Sequence, residues 1–229
     1  MPFYQRLGLE MPTNTSDTEA ETFDTDKLAL LVSETPAMVS FHFGCPPTQV
    51  VEALKGAGIV VAATATMVSE AIALEKTGVD VVVAQGWAAG GHRGSFETNF
   101  EEVGVGTFAL VPQICDSVDC LVAAAGGIGD GRGIAACRVL GADAVWMGTA
   151  FLTCTKAPIT KVHRKALLSA KDTDTHLSRA FSGRPCRARK TPFSIQMAEG
   201  RPILPEFPLM YNYSSPIKKH GIALDDLNN

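Results

Sequence analysis

The chain has no run of about 18 uninterrupted apolar residues, so nothing in it predicts a membrane-spanning helix. Its start, Met1-Pro-Phe-Tyr-Gln-Arg-Leu, lacks the basic end and apolar stretch of a secretory signal. Residues 10–26, rich in Thr, Asp and Glu, do not make the Arg-rich amphipathic address of an organelle. The six cysteines (Cys45, Cys115, Cys120, Cys137, Cys154, Cys186) include no CxxC pair and no staple-like spacing, which predicts reduced thiols and a cytoplasmic location. No set of His, Cys, Asp and Glu has the spacing of a metal site. One-sign charge is also missing: 20 Lys+Arg stand against 24 Asp+Glu, a net charge of -4. Without the one-sign clusters that attract phosphate backbones or anionic lipid, the chain is expected to bind neither nucleic acid nor a membrane surface.

What is present is the composition of a globular protein. With 229 residues, 46% hydrophobic and 19% charged, the chain can bury a substantial core, which excludes disorder. Residues 10–26 have little to bury and predict an exposed connection into a helix at 26–34. A rhythm then repeats: an apolar run, a glycine-rich or polar turn, a helical stretch, another run. The runs are 37–43, 59–65, 79–84, 121–125 and 144–147. Pro46 and Pro47 open a helix at about 47–56, and 69–77 reads as another, ended by Gly78. Apolar strands joined through helices predict a parallel sheet, hence an α/β fold, either doubly wound or part of a TIM (β/α) barrel. Glycines and polar residues follow the C-terminal end of nearly every run: Gly44, Thr64 to Thr66, Gln85 to Gly94, Gly126 to Gly133, and Gly148 with Thr149. That distribution favours the barrel, which gathers all such ends at one mouth.

Two segments carry chemistry. In Ala123-Ala-Ala-Gly-Gly-Ile-Gly-Asp-Gly-Arg-Gly-Ile, Gly126 and Gly127 let backbone N–H groups approach an anion, and Asp130 is placed to cap the next helix. Gly148 and Thr149 present a second donor cluster at the next strand end. Either cluster alone could be a tight turn; two on consecutive strand ends point to a phosphate. In Val81-Val-Val-Ala-Gln-Gly-Trp-Ala-Ala-Gly-Gly-His-Arg-Gly94, a strand ends at Gln85, and His92 and Arg93 stand between glycine pairs. An imidazole there can take a proton from carbon or hydrogen-bond a developing anion, where a bland reading makes it a surface loop histidine. The Gln85 amide suits the polar edge of a flavin ring. Arg93 can hold a carboxylate or pair with Glu97 or Glu101. His42, on the same strand side as Ser40, can line the pocket or be a hydrogen-bonded core residue. His163 and His176 read as solvent-facing residues of a polar helical stretch. The basic run 182–190 reads as a contact for phosphate or acidic substrate, a solvated loop or a subunit contact.

Taken together, Ser40-Phe-His-Phe-Gly-Cys-Pro-Pro47, Thr64-Ala-Thr66, Ala84-Gln-Gly-Trp-Ala-Ala-Gly-Gly-His-Arg-Gly94, Ala125-Gly-Gly-Ile-Gly-Asp-Gly-Arg-Gly133, Met147-Gly-Thr-Ala-Phe-Leu152 and Phe181-Ser-Gly-Arg-Pro185 resemble nitronate monooxygenases. The resemblance implies an FMN-dependent TIM barrel that oxidises alkyl nitronates with O2 to carbonyl compounds and nitrite. It implies flavin contacts at Gln85 and Gly90, phosphate contacts at Gly126, Gly127, Trp146, Met147, Gly148 and Thr149, and His92 as the catalytic base. The FMN-dependent enoyl-acyl-carrier-protein reductases share the glycine and histidine motifs and form a second reading. Ala88 and Trp146 stand where the family usually has Glu and Gln. The family's opening Gln-Ala-Pro-Met strand and closing Gly-Gln signature have no counterpart. The implied organisation is a polar segment at 1–26, an incomplete FMN-binding barrel domain of about five parallel strands at 27–190 and a C-terminal tail at 191–229. An opened sheet has two unpaired edges, which favours pairing with a second copy or a partner chain, and admits a third reading as an inactive fragment of the family.

Overall fold

The computed structural model describes residues 2–13, 22–97, 104–200 and 203–224. The chain divides into two compact units, one of Thr22–Gly148 and one of Met1–Glu21 with Thr149–Asn229. Helix α1 (Pro2–Leu7) opens the smaller unit. The larger unit then runs α2 (Thr25–Glu34), β1 (Met38–Phe41), α3 (Thr48–Gly56), β2 (Val60–Ala65), α4 (Val68–Thr77), β3 (Val81–Gln85), the two-residue β4 (Gly91–His92), α5 (Thr107–Cys115), β5 (Leu121–Ala125), α6 (Gly131–Val139) and β6 (Ala144–Trp146). The smaller unit resumes with α7 (Thr149–Leu152), α8 (Lys161–Ser169), β7 (Thr175–Ser178), β8 (Cys186–Arg189), α9 (Pro192–Gly200) and α10 (Met210–Ala223). Among the described residues, no helix is long and apolar enough to cross a membrane.

The five apolar runs become one parallel sheet in the order β1-β2-β3-β5-β6. Successive strands lie side by side with no reversal of order. A doubly wound sheet would reverse at a switch point, so this is the winding of a (β/α) barrel, in five strands. The two faces agree. On one, Val61, Ala63, Ala65, Val82, Ala84, Val122 and Ala124 pack with Val51 and Leu54 of α3, Leu74 of α4 and Leu110 and Ile114 of α5. The other face carries the small cluster Ala62, Val81, Val83, Ala123 and Ala125, joined by no helical residue. The helices therefore cover the outer face, and the residues alternating with them line the inner one.

The entry of strands into the sheet repeats a device. In Gly78-Val-Asp80 and Gly141-Ala-Asp143, a left-handed glycine (φ +94 and +102) ends a helix region and an aspartate turns the chain into a strand. Asp80 N–H donates to the Val61 carbonyl at 2.8 Å, and its carboxylate accepts from Val61 N–H at 2.9 Å. Asp143 makes the same pair with Val122, at 2.8 and 2.9 Å. Each aspartate thus closes a sheet hydrogen-bond pair with its own side chain, satisfying donors that would otherwise be buried and unmade. The helix expected at 26–34 is α2, capped by Asp24, whose carboxylate accepts from Lys27 N–H at 2.8 Å.

The smaller unit has a separate core of Phe3, Tyr4, Phe193, Met210 and Ile217. Tyr4 is buried and its hydroxyl donates to the Tyr213 carbonyl at 2.7 Å, while Phe3 and Phe193 meet edge to face at 5.3 Å. The two ends of the chain share this core, a pairing across about two hundred residues that local patterning does not encode. Residues 191–229, expected as a tail, hold α9 and α10, and residues 2–7 of the expected polar segment form α1; residues 14–21 of that segment lie outside the described residues. The basic run 182–190 contributes β8, which pairs antiparallel with β7. His176 is corrected: it lies on strand β7, not a helix, half-buried, with Nε2 2.8 Å from Ser194 Oγ. His163 does lie on a helix, α8, and is exposed.

Candidate active site

The C-terminal ends of the five strands carry the residues that the motifs single out. On the inner face, Thr64 is level with Val83 and Ala123, and one layer further on Gln85 is level with Ala125 and Trp146. Register alone thus sets Gln85 beside the strand end that leads into Gly126 and Gly127, and those beside the end that leads into Met147 and Gly148. The chain crosses between them in one step: Gly86 N–H donates to the Ala125 carbonyl at 2.9 Å.

The segment after β3 is held by a dense set of hydrogen bonds. Gln85 is buried; its Nε2 donates to the His92 carbonyl at 2.9 Å, and its Oε1 accepts from Gly94 N–H at 2.9 Å. Exchanging the amide's two ends would set donor against donor and acceptor against acceptor, so its orientation is fixed by the backbone it binds. One N–H and one lone pair remain for other partners. Arg93 is 1% exposed; its Nη1 donates to the carbonyls of Gln85 (3.1 Å) and Gly86 (2.7 Å), and the guanidinium carbon lies 5.4 Å from the Trp87 ring centre. Of its two partners expected from sequence, Glu101 lies outside the described residues.

His42 bonds through both ring nitrogens. Nε2 is 3.3 Å from the His92 carbonyl, an acceptor, so Nε2 carries the hydrogen; Nδ1 is 3.0 Å from Thr64 Oγ1. The hydrogen-bonded alternative for this residue is the one observed, and its bond falls on the backbone of His92. Next to it, Phe43 adopts φ +73, a left-handed conformation that a bulky residue avoids and that costs about 1–3 kcal/mol. The ring is thereby placed 6.0 Å from the His92 imidazole, edge to face, and 4.5 Å from that of His42. His92 itself is half-buried on β4.

The glycines divide into two kinds. Gly126, at φ +111, has no room for a side chain: a Cβ would lie 3.0 Å from Ala89 N and from Thr107 Oγ1 and 3.1 Å from Gly86 O. Thr107 Oγ1 donates to its carbonyl at 2.8 Å. It serves the packing of the loops. Gly148 has open space where a Cβ would be, and Gly127, at φ +71, would meet only Ala88 Cβ, at 3.0 Å. Both are exposed, and neither backbone N–H bonds to another described residue. Two open amides at the ends of paired strands fit an anionic acceptor such as phosphate. Asp130 caps α6 as expected, accepting from Arg132 N–H at 2.9 Å; the Arg132 guanidinium, and after it this backbone bond, hold its carboxyl below the usual range. Trp146 is 41% exposed, Met147 half-buried, Gly90 exposed, and Thr149 begins α7.

One residue escaped the sequence reading. Glu70, in the first turn of α4, is fully buried and its carboxylate bonds both the end of β2 and the loop carrying His92. Its local signal was an acidic residue in the first turn of a helix, where the macrodipole favours a carboxylate. Nothing local shows that its second oxygen reaches a segment 26 residues away.

The sequence model of the family described as nitronate monooxygenase matches residues 4–223. A "Probable nitronate monooxygenase" of Staphylococcus aureus (strain Newman) is 41% identical over 226 residues, 98% of this chain and 63% of that protein. One from Staphylococcus haemolyticus is 41% identical over 95% of this chain and 61% of its own length. The chain thus spans less than two thirds of the curated relatives it matches. Among solved structures, nitroalkane oxidase from Streptomyces ansochromogenes superposes with a TM-score of 0.82 at 38% identity, over 88% of this chain and 58% of that one. FabK from Thermotoga maritima gives 0.66 at 36% identity, over 76% and 53%.

Proposed function

Because the chain belongs to the nitronate monooxygenase family, we propose that it forms the phosphate-binding and proton-handling side of an FMN-dependent nitronate monooxygenase. One observation carries the reading: the open amides of Gly127 and Gly148 lie at the ends of paired strands, beside a loop that holds His92 by bonds to its own carbonyl. Gly127, Met147, Gly148 and Thr149 would hold the FMN phosphate, with Gly126 shaping the turn; Gln85, Gly90 and Trp146 would meet the rest of the flavin. When bound, FMN supplies the electron acceptor that O2 reoxidises.

The chain's own part is geometry and proton transfer. His92 accepts the proton from the α-carbon of a neutral nitroalkane: the C–H bond breaks, an N–H bond forms on the imidazole, and the electron pair stays on the substrate as nitronate. With a preformed nitronate, the same imidazole orients the anion by hydrogen bonding. Phe43 supplies apolar surface near it, suited to an alkyl group.

The test is a visible spectrum, then turnover. The chain should take up FMN and consume O2 with a nitronate, releasing nitrite without NADH. A preparation that FMN titration cannot turn yellow would overturn cofactor binding by this chain and favour an inactive fragment. Rapid NADH oxidation dependent on an enoyl thioester would replace the oxygenase by a reductase. His92→Asn should cut turnover of a neutral nitroalkane by about 10²–10⁴, the range of a general base, and spare preformed nitronate. Equal losses on the two substrates would remove the base role from His92.

A further inference from the structure

A buried carboxylate is costly unless its oxygens are fully bonded. Glu70 is 0% exposed, and among the described residues no cation pairs with it. Four donors converge on it instead. Oε2 accepts from Thr66 N–H at 2.6 Å and Thr66 Oγ1–H at 2.8 Å; Oε1 accepts from Phe96 N–H at 2.6 Å and Glu97 N–H at 3.2 Å. Hydrogen bonds to an ionised acceptor are about twice as strong as neutral ones, and the two oxygens are divided evenly between two loops. Tying α4 to the end of β2 would need only the first pair.

The second pair lands on the far side of the loop that Gln85, His42 and Arg93 hold from the other. His92 is tied through its carbonyl, Arg93 through its guanidinium, Gly94 through its N–H, and Phe96 and Glu97 through theirs. A glycine-flanked segment has large conformational freedom to lose, so its register depends on these side-chain anchors. Gly94 also packs tightly: a Cβ there would lie 2.6 Å from Thr64 Cγ2 and 2.8 Å from His42 Cε1, so the loop cannot shift sideways without displacing His42.

We propose that Glu70 is a positioning residue for His92, acting through the 93–97 backbone: its carboxylate sets the loop height at which the imidazole meets the substrate carbon. The inference rests on the assignment of His92 as the proton-handling group, and the experiment separates the two. Glu70→Gln and Glu70→Ala are compared in the full chain with Asp80→Asn. Asp80 is likewise a carboxylate on a strand backbone N–H, but it lies at the opposite end of the sheet, so its loss calibrates a purely structural defect. In Glu70→Gln, one oxygen becomes an NH2 that faces donors, so at least one pair of bonds is lost.

Two readouts are taken. Hydrogen exchange across 92–97 should quicken by about tenfold or more in both Glu70 variants and stay at the wild-type rate in Asp80→Asn. Turnover of neutral nitroalkane should fall about tenfold further than turnover of preformed nitronate, a split that Asp80→Asn does not produce. Unchanged exchange, or equal losses on both substrates, overturns the proposal. If the wild-type chain turns over neither substrate, the functional reading fails, and the rate of His92 carbethoxylation by diethyl pyrocarbonate, mapped by mass spectrometry, replaces turnover. It should rise in the Glu70 variants; an unchanged rate refutes the positioning role. Should both Glu70 variants fail to fold, the wild type decides: rapidly exchanging Phe96 and Glu97 amides refute the anchor, and slow ones sustain it.

Discussion

Replacing glycines one at a time separates those that shape the site from those that leave room for a ligand. Gly126→Ala would force a side chain into φ +111 with backbone atoms and Thr107 Oγ1 at 3.0–3.1 Å. The left-handed conformation costs about 1–2 kcal/mol and the overpacking a similar amount, about 2–4 kcal/mol together. For a protein of this size that lowers the melting temperature by roughly 5–15 °C. Gly148→Ala is different, because nothing lies within 4 Å of the added Cβ. Stability should move by no more than about 0.5 kcal/mol, under roughly 2 °C. Yet the methyl group would fill the space in which an acceptor must approach the Gly148 N–H. Losing a hydrogen bond to a charged acceptor, about 1.5–3 kcal/mol, weakens FMN binding by roughly 10- to 150-fold. Thermal unfolding of the ligand-free proteins and titration of FMN by quenching of its fluorescence measure both quantities. An unchanged FMN affinity in Gly148→Ala, or a loss of stability as large as that of Gly126→Ala, would refute the reasoning.

Two further outcomes are expected. Burial, with Lys190 and Arg187 nearby, holds the His176 imidazole below its ordinary value, and partial desolvation with the Lys218 charge does the same to His163. Their neutral forms are favoured by the fold, so the stability they contribute is present above about pH 6.5, the unfolded value, and is lost as pH falls through the lower folded values. The melting temperature should drop between pH 7.5 and 5.5, and His176→Gln should flatten that slope; a rise on acidification would refute it. Among the thiols, burial pushes Cys186 up to about 11, and burial with the Glu75 charge does the same to Cys120, whereas Cys154 is exposed. At pH 8 only about one in a thousand of the two raised thiols is ionised. Iodoacetamide should label Cys154 first and reach Cys120 and Cys186 only on unfolding, and peptide mapping that finds Cys186 labelled as fast as Cys154 would contradict this.

Much of the larger unit was legible in order. A strand needs a short apolar run and a helix needs a cap and a stop, and both are local, so β1, β2, β3, β5 and β6 fell where the runs at 37–43, 59–65, 79–84, 121–125 and 144–147 placed them. Asp130 was readable as a cap for the same reason, since its acceptor and donor are two residues apart. The glycine and histidine motifs marked the right end of the sheet because successive parallel strands deliver their C-terminal ends to one side.

The tertiary structure decided how those residues are used. Sequence marked Gln85 as a flavin contact; only the folded loop shows its amide bonded to the His92 carbonyl and the Gly94 N–H. Sequence left His42 open between pocket and core, and only its distances to Thr64 and His92 assign its nitrogens. Glu70 stayed silent, because a carboxylate that bridges two loops has meaning only once distant segments meet. The smaller unit shows the same limit, since the burial of Phe3 and Tyr4 depends on α9 and α10 at the other end of the chain. Periodicity along a chain records which residues seek burial; which partners they find depends on contacts across the fold, whose sequence separation no local pattern carries.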